Sequence, residues 1–328
     1  MPESSPLAPP ETVDRKRWLP FLGWLGGALL AAVLLFAAWG KALDPNAFAE
    51  QISGEGLALV LSAHLWAIVM IAVEVGLGVA LLLNLRSRPV LLFATVLVLL
   101  FVFLTGRTYW RALHGIAPAS ASCGCFGNLV ERTPAEAFWQ DLALLLPPLA
   151  LAWIGRPRSL RRAGAKWAAT AALTAGGATF AALAPGLPLD DLATRLAPGT
   201  RLAEICAGSG DARICLSDAV PEIATGRHWV VLVDPDAPDY GTVVERLNAW
   251  ALSRAEPPVT ALADITAQKQ TELFWRFAPA FDLHETPAAL LRPLYRTLPR
   301  SFLVEEGTVQ RTRRGVAAEL VPPATPDS

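Results

Sequence analysis

Two thiols one residue apart stand in Ser122-Cys123-Gly124-Cys125-Phe126-Gly127-Asn128, the stretch with the most reactive residue types in the chain. A Cys-x-Cys disulfide closes a very small ring, and a strained disulfide is reduced more easily than a relaxed structural one. Gly124 lets the backbone bend far enough to close that ring, and Gly127 provides a second free bend. The spacing supports a dithiol/disulfide pair that exchanges electrons with a partner. Two plainer roles fit the same residues: a tight loop with structural cysteines, or half of a soft-metal ligand set.

Other residues could do chemistry more locally. Glu74 interrupts an apolar run, and an ionisable group at that depth is costly unless it has a functional role or a partner on another helix. A neutral or paired structural carboxyl explains it as well. His64 reads as an interfacial residue, and His114 lies close enough to the cysteine loop to tune a thiolate. Only two further cysteines occur, Cys206 and Cys215, flanking Gly208-Ser209-Gly210-Asp211. A turn there would bring their strands together, which favours a structural disulfide over a redox relay.

The elements that position these groups are set by hydropathy. Of the 328 residues, 53% are hydrophobic and 17% charged, too apolar for two ordinary soluble domains. The formal net charge of −1 gives no reason to expect a nucleic-acid partner. Residues 1–17 form a polar, Pro-rich lead that ends in Arg15-Lys16-Arg17. Apolar runs follow at about 18–39, 59–85, 90–105, 138–154 and 167–184, long enough to span a bilayer as helices. Residues 46–58 fit a short interfacial helix, and Pro147-Pro148 predicts a kink in the fourth span.

Loop charges orient the spans. Arg15, Lys16, Arg17, Arg86, Arg88, Arg156, Arg158, Arg161, Arg162 and Lys166 fall on one side of a five-span arrangement. Lys41 and Arg132, with Arg107 and Arg111 near the membrane, fall on the other. Cytoplasmic loops carry the excess of Lys and Arg. The expected protein sits in a bacterial inner membrane with its N-terminus cytoplasmic. Its Cys123 loop and everything after Pro185 are then periplasmic, on the oxidising face where disulfides persist.

Three features together resemble the MauE/DoxX group of redox-associated membrane proteins. They are Gly40-Lys41-Ala42-Leu43-Asp44-Pro45 with Phe48, Glu74 followed by Gly76 and Gly78, and Cys123-Gly124-Cys125-Phe126-Gly127. The resemblance covers roughly residues 18–156 and implies a four-helix membrane domain, with 157–185 adding a basic loop and a fifth span. The group is associated with maturation of periplasmic methylamine dehydrogenase or with disulfide formation. The resemblance therefore implies periplasmic thiol chemistry, with Cys123 and Cys125 as redox pair and a client protein or thiol-disulfide protein as partner. No cofactor motif occurs; a quinone or a partner thiol would be the electron partner.

After a Pro/Asp/Gly linker at 186–201 the pattern becomes soluble. His228–Asp234 reads as a strand, 241–254 as an amphipathic helix, Val259–Ile265 as a strand and 267–278 as a helix. Leu298–Val304, Glu305-Glu306-Gly307 and Thr308–Arg311 read as strand, turn and strand. This order resembles a thioredoxin-like α/β fold over 202–328, with Pro299 in the place of that fold's cis-proline and Gly307 as its turn glycine. Thiols would be expected at Ala237 and Tyr240, and neither is cysteine. Without a thiolate the domain cannot exchange disulfides by the usual route. It is expected to bind a client or partner, with Pro238 and Tyr240 presenting an apolar surface.

Overall fold

The computed structural model describes residues 15–56, 62–116, 132–156, 163–208, 213–253 and 256–320. Cys123, Cys125 and the rest of their loop lie outside these residues, as do Arg158, Arg161 and Arg162. Six helices come first: α1 (Arg15–Leu43), α2 (Pro45–Gly54), α3 (Ala63–Leu82), α4 (Arg88–Leu113), α5 (Pro134–Ile154) and α6 (Ala163–Leu183). All but α2 are long and apolar enough to cross a membrane. The chain is a multi-pass membrane protein whose spans agree with the five apolar runs, although α4 and α5 extend beyond the runs that announced them.

Local sequence explains these ends. Asp44 caps α2 by accepting a hydrogen bond from the Ala47 N–H at 3.1 Å, and Pro45 occupies the first turn, where no amide is needed. Thr133 and Glu136 form a reciprocal capping box that starts α5 at Pro134, four residues before the apolar run begins. That helix continues through Pro147 and Pro148.

Helices α1 and α5 meet almost backbone to backbone. A Cβ on Gly23 would collide with the Gly155 backbone and the Arg86 guanidinium, and one on Gly26 with the Pro148 carbonyl. Small residues permit this approach, and within lipid it is van der Waals packing that such closeness rewards. Arg86, counted in sequence among the loop charges, is buried here and donates from Nε to Asn84 Oδ1 at 2.7 Å. Burial pulls its guanidinium pKa below the usual value. Leu30, Leu34, Leu81, Leu91, Val98 and Leu145 complete the bundle interior.

The α/β domain follows: α7 (Asp190–Ala193), β1 (Cys206–Ala207), β2 (Ile214–Cys215), α8 (Leu216–Ala219), β3 (Arg227–Leu232), α9 (Tyr240–Leu252), β4 (Val259–Ala263), α10 (Ala267–Phe277), β5 (Asp282–Glu285), α11 (Ala288–Leu291), β6 (Arg300–Glu305) and β7 (Thr308–Arg314). Five strands form one sheet in the order β5-β4-β3-β6-β7. β3, β4 and β5 run parallel, and β6 and β7 are antiparallel. Strand β4 is buried along its whole length, as the near-continuous apolar run Val-Thr-Ala-Leu-Ala requires of a parallel strand covered on both faces.

The expected strand-helix-strand-helix-hairpin order is present. Glu306 and Gly307 both have positive φ at the hairpin tip, the backbone a two-residue turn between twisted strands demands. The edge strand β5 was not foreseen, because Asp-Leu-His-Glu is short and polar. Residues 187–201 are also not a free tether. Leu196 and Leu202 are buried under the sheet, and Gly199, Thr200 and Leu202 hydrogen-bond along β7 and its turn.

Candidate functional site

The sequence segment Gly40–Phe48 forms the corner between α1 and α2, and this corner organises one end of the bundle. Lys41, on the last turn of α1, reaches inward and forms an ion pair with Glu74 of α3. The two side chains are 1% and 0% exposed, so the pair is wholly removed from solvent. Phe48 of α2 and Phe101 of α4 place their rings 5.0 and 4.8 Å from the Lys41 ammonium, and aromatic faces stabilise a desolvated cation. Four helices thus converge on one lysine. Glu74 Oε2 is buried with no hydrogen-bond partner among the described residues.

A second buried pair lies nearby. Arg132, just before α5, donates to Asp141 at 2.9 Å, and both are nearly inaccessible. Lys41 at the end of α1 pairs with Glu74 in the middle of α3, and Arg132 pairs with Asp141 near the start of α5, so the bundle holds two buried ion pairs. Such pairs can bind a polar group or pass a proton, and removing either partner would leave an uncompensated buried charge.

The structure gives Glu74 its partner helix. Sequence reasoning noticed Glu74 but not Lys41 as its counter-ion, nor the Arg132–Asp141 pair. The signal available was an acid in each of two apolar runs with basic residues near the ends of others. His64 is not part of either pair. His114 hydrogen-bonds through Nδ1 to its own helix at Trp110 O, 2.8 Å away.

Alternation of the five spans puts α2 and the α/β domain on one face of the bundle. Within that domain Cys206 and Cys215 are joined by a disulfide across the β1–β2 pair. The Leu298–Pro299 bond is cis. The register Leu232↔Arg300 continues to set Pro299 level with Val233, at the end of β3 that leads to Ala237 and Tyr240.

Tyr240 corrects one expectation. Its side chain is only 3% exposed and meets Phe277 edge-on within the core, so it presents no apolar surface to a partner. A tyrosine at the first position of α9 packs inward because it follows the buried end of β3. Exposed aromatics lie instead on α10, where Trp275 is 80% and Phe274 54% exposed.

Residues 19–154 match the family model described as methylamine utilisation protein MauE. Over these residues the membrane domain is similar to that family. The match ends at the close of α5, so it takes in the Lys41–Glu74 pair, the Arg132–Asp141 pair and the Cys123 loop, and leaves α6 and the α/β domain outside. No curated protein and no solved structure matches the chain.

Proposed function

We propose that this protein, whose membrane domain is similar to the MauE family, serves thiol-disulfide chemistry in the maturation of exported proteins, with Cys123 and Cys125 as its redox pair. One observation carries the reading. The chain has four cysteines, Cys206 and Cys215 are joined to each other, and Ala237 and Tyr240 occupy the places where the α/β domain would hold thiols. Cys123 and Cys125 are the remaining cysteines. The methylamine utilisation association of the family suggests a client of the methylamine dehydrogenase type.

Exchange conserves electrons. A client thiolate attacks one sulfur of the loop disulfide, and a second client thiolate displaces the mixed disulfide, leaving the client oxidised and the loop as two thiols. The loop then passes two electrons to a quinone or to a partner thiol-disulfide protein. The reverse sequence would reduce a client. In either direction the α/β domain contributes binding rather than chemistry.

The expected orientation, with the N-terminus cytoplasmic and the α/β domain outside an inner membrane, rests on the Lys/Arg asymmetry. It places the loop where clients and oxidants meet. The decisive test replaces Cys123 or Cys125 by Ser in the full-length chain. Protein abundance should stay near wild type while client maturation is lost, and Cys125→Ser should trap a mixed disulfide with the client. Full complementation by both variants would leave the loop a structural turn and the protein an assembly factor without redox chemistry.

A further inference from the structure

The segment that enters the cis-proline, Arg292 to Pro299, is also a part of the α/β domain that meets the membrane domain and its last span. Arg292 forms an ion pair with Glu50 on α2 and lies 5.1 Å over the ring of Tyr295. Arg296, almost fully buried, donates to the carbonyls of Ala184 at 2.7 Å and Leu187 at 3.2 Å, where the last span hands over to the domain. Asp44, buried at the α1–α2 corner, lies in the field of both arginines. Tyr295 in turn feels Asp234, at the end of β3 beside the degenerate thiol positions.

Charge is complementary across this contact: two acids on the corner face two arginines on the domain. The corner is two-sided. Lys41 and Phe48 turn into the bundle toward Glu74, while Asp44 and Glu50 face the domain.

We propose that the α/β domain is seated, through the edge that carries Pro299, on the α1–α2 corner of its own membrane domain. This names the partner of the binding role proposed above: it is the outer face of the same chain, not a free client polypeptide. In the thioredoxin resemblance this edge is where a thiol substrate would lie. Here the edge has lost its thiols and is occupied by the chain's own acidic corner. A client must therefore reach the Cys123 loop beside a domain already in place.

Crosslinking in membranes tests the seat without reference to thiol chemistry, so it can fail while the redox reading survives. The background is the full chain with Cys123→Ser and Cys125→Ser and a protease site inserted between Arg158 and Ser159. Glu50→Cys combined with Arg292→Cys should be joined by a short bismaleimide, so that the two fragments stay together after cleavage. Glu50→Cys combined with Leu252→Cys should not, because exposed Leu252 lies at the far end of α9, about 18 Å along the helix from Tyr240. Separate fragments from the first pair, or equal yields from both, would overturn the proposal.

A second measurement uses charge. Arg292→Glu should speed proteolysis of residues 187–201 about two- to fivefold, the range a single exposed ion pair carries, and Glu50→Arg in the same chain should restore the rate. Unchanged proteolysis in the reversal variant would also count against the seat.

Discussion

The Lys41–Glu74 pair shows what a single residue can cost inside a membrane. Each charge is tolerable only because the other is there, with Phe48 and Phe101 around the ammonium. Glu74→Gln or Lys41→Met leaves one buried charge without its partner and should cost about 3–5 kcal/mol, read as lower abundance and an earlier melt in detergent. Lys41→Met with Glu74→Leu should recover most of that stability. A recovered double variant that no longer supports client maturation would assign the pair to function, and one that retains it would make the pair a packing device. Asp44 offers a second test at this scale. Burial outweighs its Ala47 N–H and the two arginines and holds its carboxyl above the ordinary carboxylate range. The folded protein therefore keeps this proton to higher pH than the unfolded chain. Asp44's contribution to stability is largest in acid, falls as the pH rises from the ordinary range to the raised value, and is flat beyond it. Asp44→Asn keeps a capping oxygen, so its stability relative to wild type should improve from acid to neutral pH in thermal melts.

Among the elements, α1 and α5 depend on having nothing between them. Gly155→Val should separate the helices and lower the yield of folded protein, because the added carbons would meet the α1 backbone at Leu19 and Gly23. Gly176→Ala in α6, where a new Cβ meets no atom within 4 Å, should be neutral or slightly stabilising, since glycine costs up to about 1 kcal/mol in a helix interior. Both are read by fluorescence-detected size exclusion after heating. The strapped segment before β1 is the counterpart in the α/β domain. Arg300 is buried and donates to Thr194 Oγ1, Asp191, Leu294 O and Leu196 O, so it ties residues 191–196 to the start of β6. Arg300→Met should free that segment to proteolysis while leaving the sheet folded.

At the scale of the whole molecule, two membrane-facing claims remain to be measured. Reporter fusions after Arg88 and Arg162 should report cytoplasm, and fusions after Asn128 and Gly226 should report periplasm. A cytoplasmic signal from the Gly226 fusion would remove the oxidising setting on which the redox proposal depends. The α/β domain expressed alone from about residue 187 should leave a small disulfide substrate unreduced, with Cys206 and Cys215 closed to alkylation until a reductant is added. Turnover lost on Cys206→Ser would move the active thiols into that domain.

Hydropathy by itself determined the five spans, because every apolar residue in lipid must belong to a segment long enough to satisfy its own backbone. The strand and helix periods of residues 228–311 likewise announced an α/β domain, and that Ala237 and Tyr240 are not cysteines was legible as letters. Element ends were less so. Thr133–Glu136 and Asp44–Pro45 are local caps that hydropathy does not weigh, and β5 is a strand only because β4 offers it an edge. The direction of Tyr240, the burial of Arg86 and the strapping of residues 187–201 depend on neighbours far along the chain. Lys41 and Glu74 are 33 positions apart and Glu50 and Arg292 are 242 apart, and nothing in either local sequence specifies the match. Only packing the helices and the sheet decides which charges meet. A buried charge must find its counter-ion in space, and distance in space is not written in distance along the chain.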